Sequence, residues 1–272
     1  MRRNAFVFAL AAGSVAAALS SGAPRPAQGA DTPVDLELVL AVDISRSMDP
    51  DEQQLQRDGY VAALNHPDII AAIGGGARHK IALSYVEWAG PEMQNTVVDW
   101  RVIDGADSAK AFAAALAKAP IQGFRGTAIA DGLVFASTRF DGNSFDAPRR
   151  VIDISGDGPN NMGMPIELAR QAVIRKGITI NGLPIMIKQP GGFAAIADLD
   201  VYYQDCVIGG SGAFLLVVTS ADQFAEAIRR KLVLEIAGRS PPSQLIPTTA
   251  VKAASRIDCL IGEKLRRQWM QE

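Results

Sequence analysis

Residues 36–48, LELVLAVDISRSM, decide how this chain is read. The first seven are apolar at almost every position, as expected of a central strand whose two faces are both covered by helices. Directly after them, DISRS at 43–47 sets an acid and two hydroxyls at alternate positions. Asp49, Pro50 and Glu52 then supply the N-cap, the first helical position and the capping-box partner of a helix running to about Leu64. A buried strand that passes through a polar loop into a capped helix is the opening unit of an α/β sheet.

Working outward, residues 80–89 (KIALSYVEWA) and 96–103 (TVVDWRVI) read as strands joined at Gly90-Pro91, close enough for an antiparallel hairpin. An Ala-rich helix over 108–119 stops at Pro120, and helical spacing of apolar residues resumes over 128–140 after the turn at 123–126. The strand at 150–154 leads into Ser155-Gly156-Asp157-Gly158, and the helix at 165–176 is closed by Gly177. Strands at 178–187 and 213–218 follow, with a Gly-rich irregular connection between them. Ser220 and Gln223 match a capping box for a last helix in which Phe224, Ile228, Leu232 and Ile236 recur every fourth residue, ending at Gly238. His66-Pro67 reads as a helix-end turn and Gly74-Gly75-Gly76 as a loop. The expected fold is α/β: a doubly wound, mostly parallel, Rossmann-like central sheet with helices on both faces and one antiparallel edge strand.

Residues 1–30 form a targeting segment in this reading. Arg2 and Arg3 precede a small-apolar run over 5–19, and Ala27, Gly29 and Ala30 suit a signal peptidase. The run is shorter than the roughly twenty residues that span a hydrocarbon core, so cleavage is expected and the mature chain carries no membrane span. The expected location is periplasmic or secreted. Removing residues 1–30 takes away three arginines and no acid, which moves the formal charge from −2 to −5. That mildly acidic balance lacks the basic stripe that nucleic acid or an anionic membrane would need. Residues 31–238 are long enough for one α/β domain, leaving 239–272 as a C-terminal extension packed on or tethered to it; residues 239–249 are Pro/Ser/Thr-rich and read as extended. In an oxidising compartment the two cysteines, Cys206 and Cys259, suggest one disulfide stapling that extension to the body.

In a doubly wound sheet, loops at the carboxyl ends of the strands meet in one crevice. Asp43, Ser45 and Ser47 lie on the first such loop, Thr127 follows the Gly-rich turn, and Asp157 follows the strand at 150–154. This ordered set resembles the von Willebrand factor type A family. Its metal-ion-dependent adhesion site is written Asp-x-Ser-x-Ser, a distant Thr, and an Asp-Gly after the fourth strand. The resemblance runs over residues 34–237, and in detail the chain is similar to a bacterial exported subgroup of unknown function. It implies that Ser45, Ser47 and Thr127 ligate a divalent cation directly, while Asp43 and Asp157 act largely through water and hold the serines. Magnesium suits such hydroxyl and water-bridged donors, with calcium or manganese as alternatives. The implied function is a protein-binding module of the cell envelope that captures a partner's acidic group through the cation. Two departures from the family pattern stand out: Gly156 occupies a place commonly apolar or Thr, and Asp153 interrupts the strand, read here as a satisfied strand-end acid. Arg125, beside Thr127, reads as a solvated loop arginine.

A metal-dependent, phosphatase-like hydrolase using the same loops is the alternative. Asp43 at the end of a first strand resembles the nucleophile of haloacid dehalogenase-type phosphatases, but Ser45 stands where those enzymes need a second acid for proton transfer. Serine hydrolysis is poorly served, since the histidines, His66 and His79, both read as surface residues and no Gly-x-Ser-x-Gly elbow occurs. The expectation is therefore a binding protein and not an enzyme.

Overall fold

The structure is a computed structural model and describes residues 31–187, 195–239, 241 and 257–271. The expected leader at 1–30 lies outside the described residues, as does most of the Pro/Ser/Thr-rich stretch at 239–249. In chain order the elements are β1 (Thr32–Pro33), β2 (Glu37–Asp43), α1 (Pro50–Leu64), α2 (Pro67–Gly74), β3 (Ile81–Trp88), β4 (Gln94–Ile103), α3 (Ala106–Lys118), α4 (Ile129–Thr138), β5 (Phe145–Asp146), β6 (Arg150–Gly156), α5 (Ile166–Arg175), β7 (Thr179–Pro184), α6 (Leu199–Tyr202), a π-helical turn (Tyr203–Val207), α7 (Phe224–Ala237) and α8 (Ile261–Trp269).

The main sheet has the order β4-β3-β2-β6-β7; only β4 runs antiparallel, paired with β3 in the expected hairpin. Every residue of β2 is buried, as its apolar run requires. The period-2 alternation of a strand then sends Leu38, Leu40 and Val42 into one core with α1, α2, α3 and α7. Val39 and Ala41 enter a second core with α4, α5, α6 and the π-helical turn. Because β2 and β6 are parallel neighbours, with Val42 opposite Ser155, their carboxyl ends reach the same edge of the sheet. The α1 capping box forms as its sequence demands: Glu52 N donates to Asp49 Oδ1 at 2.9 Å and Asp49 N to Glu52 Oε2 at 3.0 Å.

Several local expectations are corrected. His66-Pro67 opens a second helix, α2, with the Asp68 amide donating to His66 Nδ1 at 3.2 Å; histidine is an uncommon cap, so the Ser/Thr/Asp/Asn signal was absent. Residues 213–218 form no strand of the sheet and meet β7 and the residue after it through isolated bridges, Gly182 with Leu215 and Ile185 with Val218. There the Asn181 side chain, in place of a backbone carbonyl, takes the Phe214 N–H at 3.0 Å. The Ser220-Gln223 capping box does not form: α7 starts at Phe224 with Gln223 itself at the N-cap, which leaves Ser220 too early to reach the first-turn amides. Gly238 ends that helix in the left-handed region, φ 65°.

Asp153 is not at a strand end. It sits mid-strand on β6, opposite Asn181, and ion-pairs with Lys231, which also pairs with Glu235 one helical turn on; all three side chains are at most 1% exposed. Burial raises Glu235, the Asp153 charge adds to it, and Lys231 and Asn181 only partly oppose them, leaving its pKa at about 7. Burial alone would lower Lys231, but Asp153 and Glu235 outweigh it and the ammonium is stabilised. With Glu235 raised above its ordinary 4.5, the folded state binds the extra proton, so its contribution to stability is present below about pH 4.5 and is lost as pH rises through about 7. Chemical denaturation across pH 4.5–8 should show that decline, and Glu235→Gln, which keeps an acceptor for Asn181, should remove it. A wild-type profile matching that of the variant would refute the assignment.

Candidate metal centre

Asp43 is the last residue of β2 and is fully buried. Its Oδ1 accepts the Ser45 amide at 2.6 Å, which bends the chain out of the strand and turns the serines toward the sheet edge. Ser45 Oγ and Ser47 Oγ lie 2.8 Å apart, and Ser47 Oγ donates to Asp157 Oδ1 at 2.6 Å across 110 residues of sequence. Asp43 Oδ2 is buried and has no hydrogen-bond partner. Burial first, then the charge of Asp157, raises the Asp43 carboxyl well above the ordinary range, against the opposing pull of Ser45 and of the Asp157 amide. The sheet edge therefore holds facing carboxylates and clustered hydroxyls.

Thr127 is brought to the same edge by backbone pairing. Phe124 N donates to Ile44 O at 3.1 Å and Arg46 N to Phe124 O at 2.8 Å, so the loop ahead of Thr127 lies strand-like against residues 44–46. Ala128 N donates to Ala89 O at 2.8 Å on the β3 side. Gly126 has φ 89°, a conformation that favours glycine, and the Met162 side chain packs against it where a Cβ would lie. On the other side Asn161 clamps Thr127 twice: Thr127 N donates to Asn161 Oδ1 at 3.0 Å and Asn161 N to Thr127 O at 2.8 Å. Thr127 is buried, and Arg125 is exposed as expected.

The Gly156 departure has a steric cause. A Cβ at this position would stand 2.8 Å from Asp43 Oδ2 and 2.9 Å from the Tyr203 hydroxyl, so the family's larger residue is excluded by a tyrosine at the base of the site. Tyr203 Oη is buried without a hydrogen-bond partner, and burial, followed by the Asp43 charge, holds it as a neutral phenol.

Positioning residues escaped the sequence reading. Gln53 Nε2 reaches Ile44 O at 3.2 Å and Ser45 O at 3.1 Å; Gln56 Nε2 donates to Asp43 O at 3.0 Å and its Oε1 accepts from Ser155 Oγ at 3.1 Å. Both lie on the buried face of α1. The legible signal was a pair of amides three apart on the first helix after the acidic loop, where an apolar stripe is the rule.

The donor set fits a hard divalent cation. It is all oxygen, it pairs hydroxyls with only two carboxylates, and it includes a buried carboxylate oxygen that the protein leaves unpartnered. Among the described residues no group of three or more His, Cys, Asp or Glu side chains could hold a metal.

Comparisons with known proteins bear on the fold. The profile of a family described as "Protein of unknown function (DUF1194)" matches residues 33–240. No curated protein matches the chain. Among solved structures, proximal thread matrix protein 1 from the mussel byssus superposes with TM-score 0.55 at 15% identity, covering 76% of this chain and 49% of that one. A second structure of the mussel protein, TM-score 0.52 at 17% identity and covering 76% of this chain and 47% of that one, is described as having a zinc-occupied MIDAS (metal-ion-dependent adhesion site) motif. The pilus adhesin SpaC from Lactobacillus rhamnosus GG gives 0.55 at 15%, covering 75% and 30%, and a von Willebrand factor type A protein from Catenulispora acidiphila gives 0.52 at 15%, covering 75% and 43%. The chain thus spans less than half the length of each of these structures, and what the likeness establishes is the von Willebrand factor type A-like fold.

Proposed function

The chain belongs to the DUF1194 family, and from that premise we propose that it is a binding module of the bacterial cell envelope that captures an acidic group of a protein partner through a divalent cation. The observation that carries this reading is the convergence of Ser45, Ser47 and Asp157 through hydrogen bonds of 2.8 and 2.6 Å, beside an unpartnered buried oxygen of Asp43. Ser45, Ser47 and Thr127 would hold the ion by their hydroxyl oxygens, and Asp43 and Asp157 would act largely through water. Magnesium is the foremost candidate, with calcium and manganese also suited to oxygen donors. Such an ion, little neutralised by direct protein charges, supplies an electrophilic point to which a partner's carboxylate can bind. The zinc-occupied motif of the mussel protein supports a divalent ion at this kind of site.

Binding is favoured over catalysis by the placement of the histidines. His66 Nδ1 caps α2 and His79 Nδ1 lies 2.7 Å from Gly74 O, so neither is committed to the sheet edge as a general base. The leader at 1–30 directs the protein to the periplasm or beyond. Among the described residues no helix is long and apolar enough to cross a membrane.

The test is capture of a partner from envelope extract with and without a chelator. Retention should fall at least ~10-fold on chelation, and Thr127→Ala should lower it similarly in the presence of magnesium. A partner retained equally in both conditions would overturn the mechanism. A panel of phosphate and ester substrates with magnesium should give no turnover; turnover abolished by Asp43→Ala would favour the hydrolase.

A further inference from the structure

The residues that follow Asp157 are held from behind by the end of the chain. Asn160 is fully buried, and its side chain is fully employed: Oδ1 accepts from Ala130 N at 3.0 Å, while Nδ2 donates to Met164 O at 3.0 Å and to Glu263 Oε1 of α8 at 2.7 Å. Its amide donates to the Tyr202 hydroxyl at 3.2 Å, and that hydroxyl in turn lies 3.4 Å from Cys259 O. Gly262 is the contact point of α8: a Cβ there would stand 2.2 Å from Asn160 O. Cys259, just ahead of α8, is disulfide-bonded to Cys206 in the π-helical turn. Ile257, Cys259 and Ile261 add apolar cover to the second core.

We propose that α8, fastened by the Cys206–Cys259 disulfide, is a positioning element of the metal centre, setting the Thr127 loop through Glu263, Asn160 and Asn161. The route is short. Glu263 fixes the Asn160 side chain, Asn161 is the next residue, and Asn161 holds Thr127 by both its amide and its side chain. A parallel route passes through the adjacent tyrosines, since Tyr202 holds the Asn160 amide while the Tyr203 hydroxyl and Asp43 Oδ2 share the space that Gly156 leaves open. Loss of the disulfide frees α8 from the π-helical turn that carries Tyr203 and directly follows Tyr202. Loss of the Glu263 carboxylate strips Asn160 of its only charged acceptor among the described residues. The C-terminal helix thereby becomes part of the binding site without touching its ligand.

The inference rests on the metal-centre reading, and its test separates the two. Hydrogen exchange at the Thr127 and Asn161 amides is followed in the metal-free protein, and Mn2+ affinity is measured alongside, for Glu263→Ala, Glu263→Gln, Glu263→Met, Gly262→Val and the Cys206→Ser/Cys259→Ser double variant. Glu263→Ala, Gly262→Val and the cysteine variant should speed exchange at both amides by at least ~10-fold, with amides of β2 unchanged. The same variants should weaken Mn2+ binding at least ~5-fold. Glu263→Gln, which keeps the acceptor, should restore both, whereas Glu263→Met, which keeps the bulk without the acceptor, should not. Wild-type protein that fails to bind Mn2+ would refute the metal centre, while the exchange measurement would still decide the role of α8. Unchanged exchange at Thr127 and Asn161 in all variants would overturn the proposal.

Discussion

Lys231→Met is expected to destabilise the protein by ~3–5 kcal/mol, a large share of the ~5–15 kcal/mol that holds a typical domain folded. For a domain of this size that is a fall in melting temperature of roughly 6–20 °C, read by calorimetry at pH 7.5. Lys231 lies wholly inside, between Asp153 of the central sheet and Glu235 of its own helix, with the Phe214 ring centroid 5.4 Å from its ammonium. Removing the cation leaves Asp153 and Glu235 facing each other in a region that water does not reach, and the methionine cannot donate to either. The loss should shrink as pH falls and Glu235, already at about 7 in the parent and raised further without Lys231, takes up its proton, which a packing defect alone would not do. Replacing all three by apolar residues together should cost far less than the single change, because a buried ion network adds little over well-packed hydrocarbon once no charge is stranded. A loss below ~1 kcal/mol for the single variant at pH 7.5 would mean that the interior tolerates the stranded acids and that the network is structurally incidental.

The second large effect concerns the sheet edge. Asp43→Asn should lower divalent-cation affinity by ~100-fold while leaving the metal-free melting temperature no lower than that of the parent. The amide can still accept the Ser45 N–H that Oδ1 now takes at 2.6 Å, so the turn out of β2 is kept. What disappears is the buried negative charge beside Asp157, which in the absence of an ion is a repulsion and in its presence an attraction. Calorimetric titration with Mg2+ or Mn2+, paired with thermal melts, separates these effects. A variant that loses both stability and affinity would mark Asp43 as a folding residue; one that keeps full affinity would remove it from the metal centre.

The strand, loop and helix from residue 36 to 64 were legible because their information is local. A run of apolar residues specifies a strand covered on both faces, and Asp49, Pro50 and Glu52 specify a helix start through bonds made within four residues. The hairpin around Gly90 and the stop at Gly238 are local in the same sense. Asp43, Ser45, Ser47, Thr127 and Asp157 were legible as an ordered set on the carboxyl-end loops, and the structure brings Ser45, Ser47 and Asp157 into hydrogen-bond contact. The short helix α2 was missed for a local reason, its unusual histidine cap.

What the sequence by itself determined is therefore the α/β order of elements and the polar residues that stand on its carboxyl-end loops, since both are written in neighbouring residues and in periodicity. The tertiary structure alone decided which polar groups are buried together and what each one holds. Lys231 and Glu235, one helical turn apart, have the pattern of a solvated surface pair; they become an internal network because α7 lies over β6 and brings Asp153 to them. Gly156 stands out in the sequence as a departure from the family pattern and proves to be the space taken by Asp43 and Tyr203, which come from β2 and from the π-helical turn. Glu263 stands in the C-terminal extension with no local signal of a role and meets Asn160 across 103 residues of sequence. The physical reason is common to these cases: the cost of burying a charge or an amide is set by partners that arrive from distant strands and helices, and no local pattern encodes that arrival.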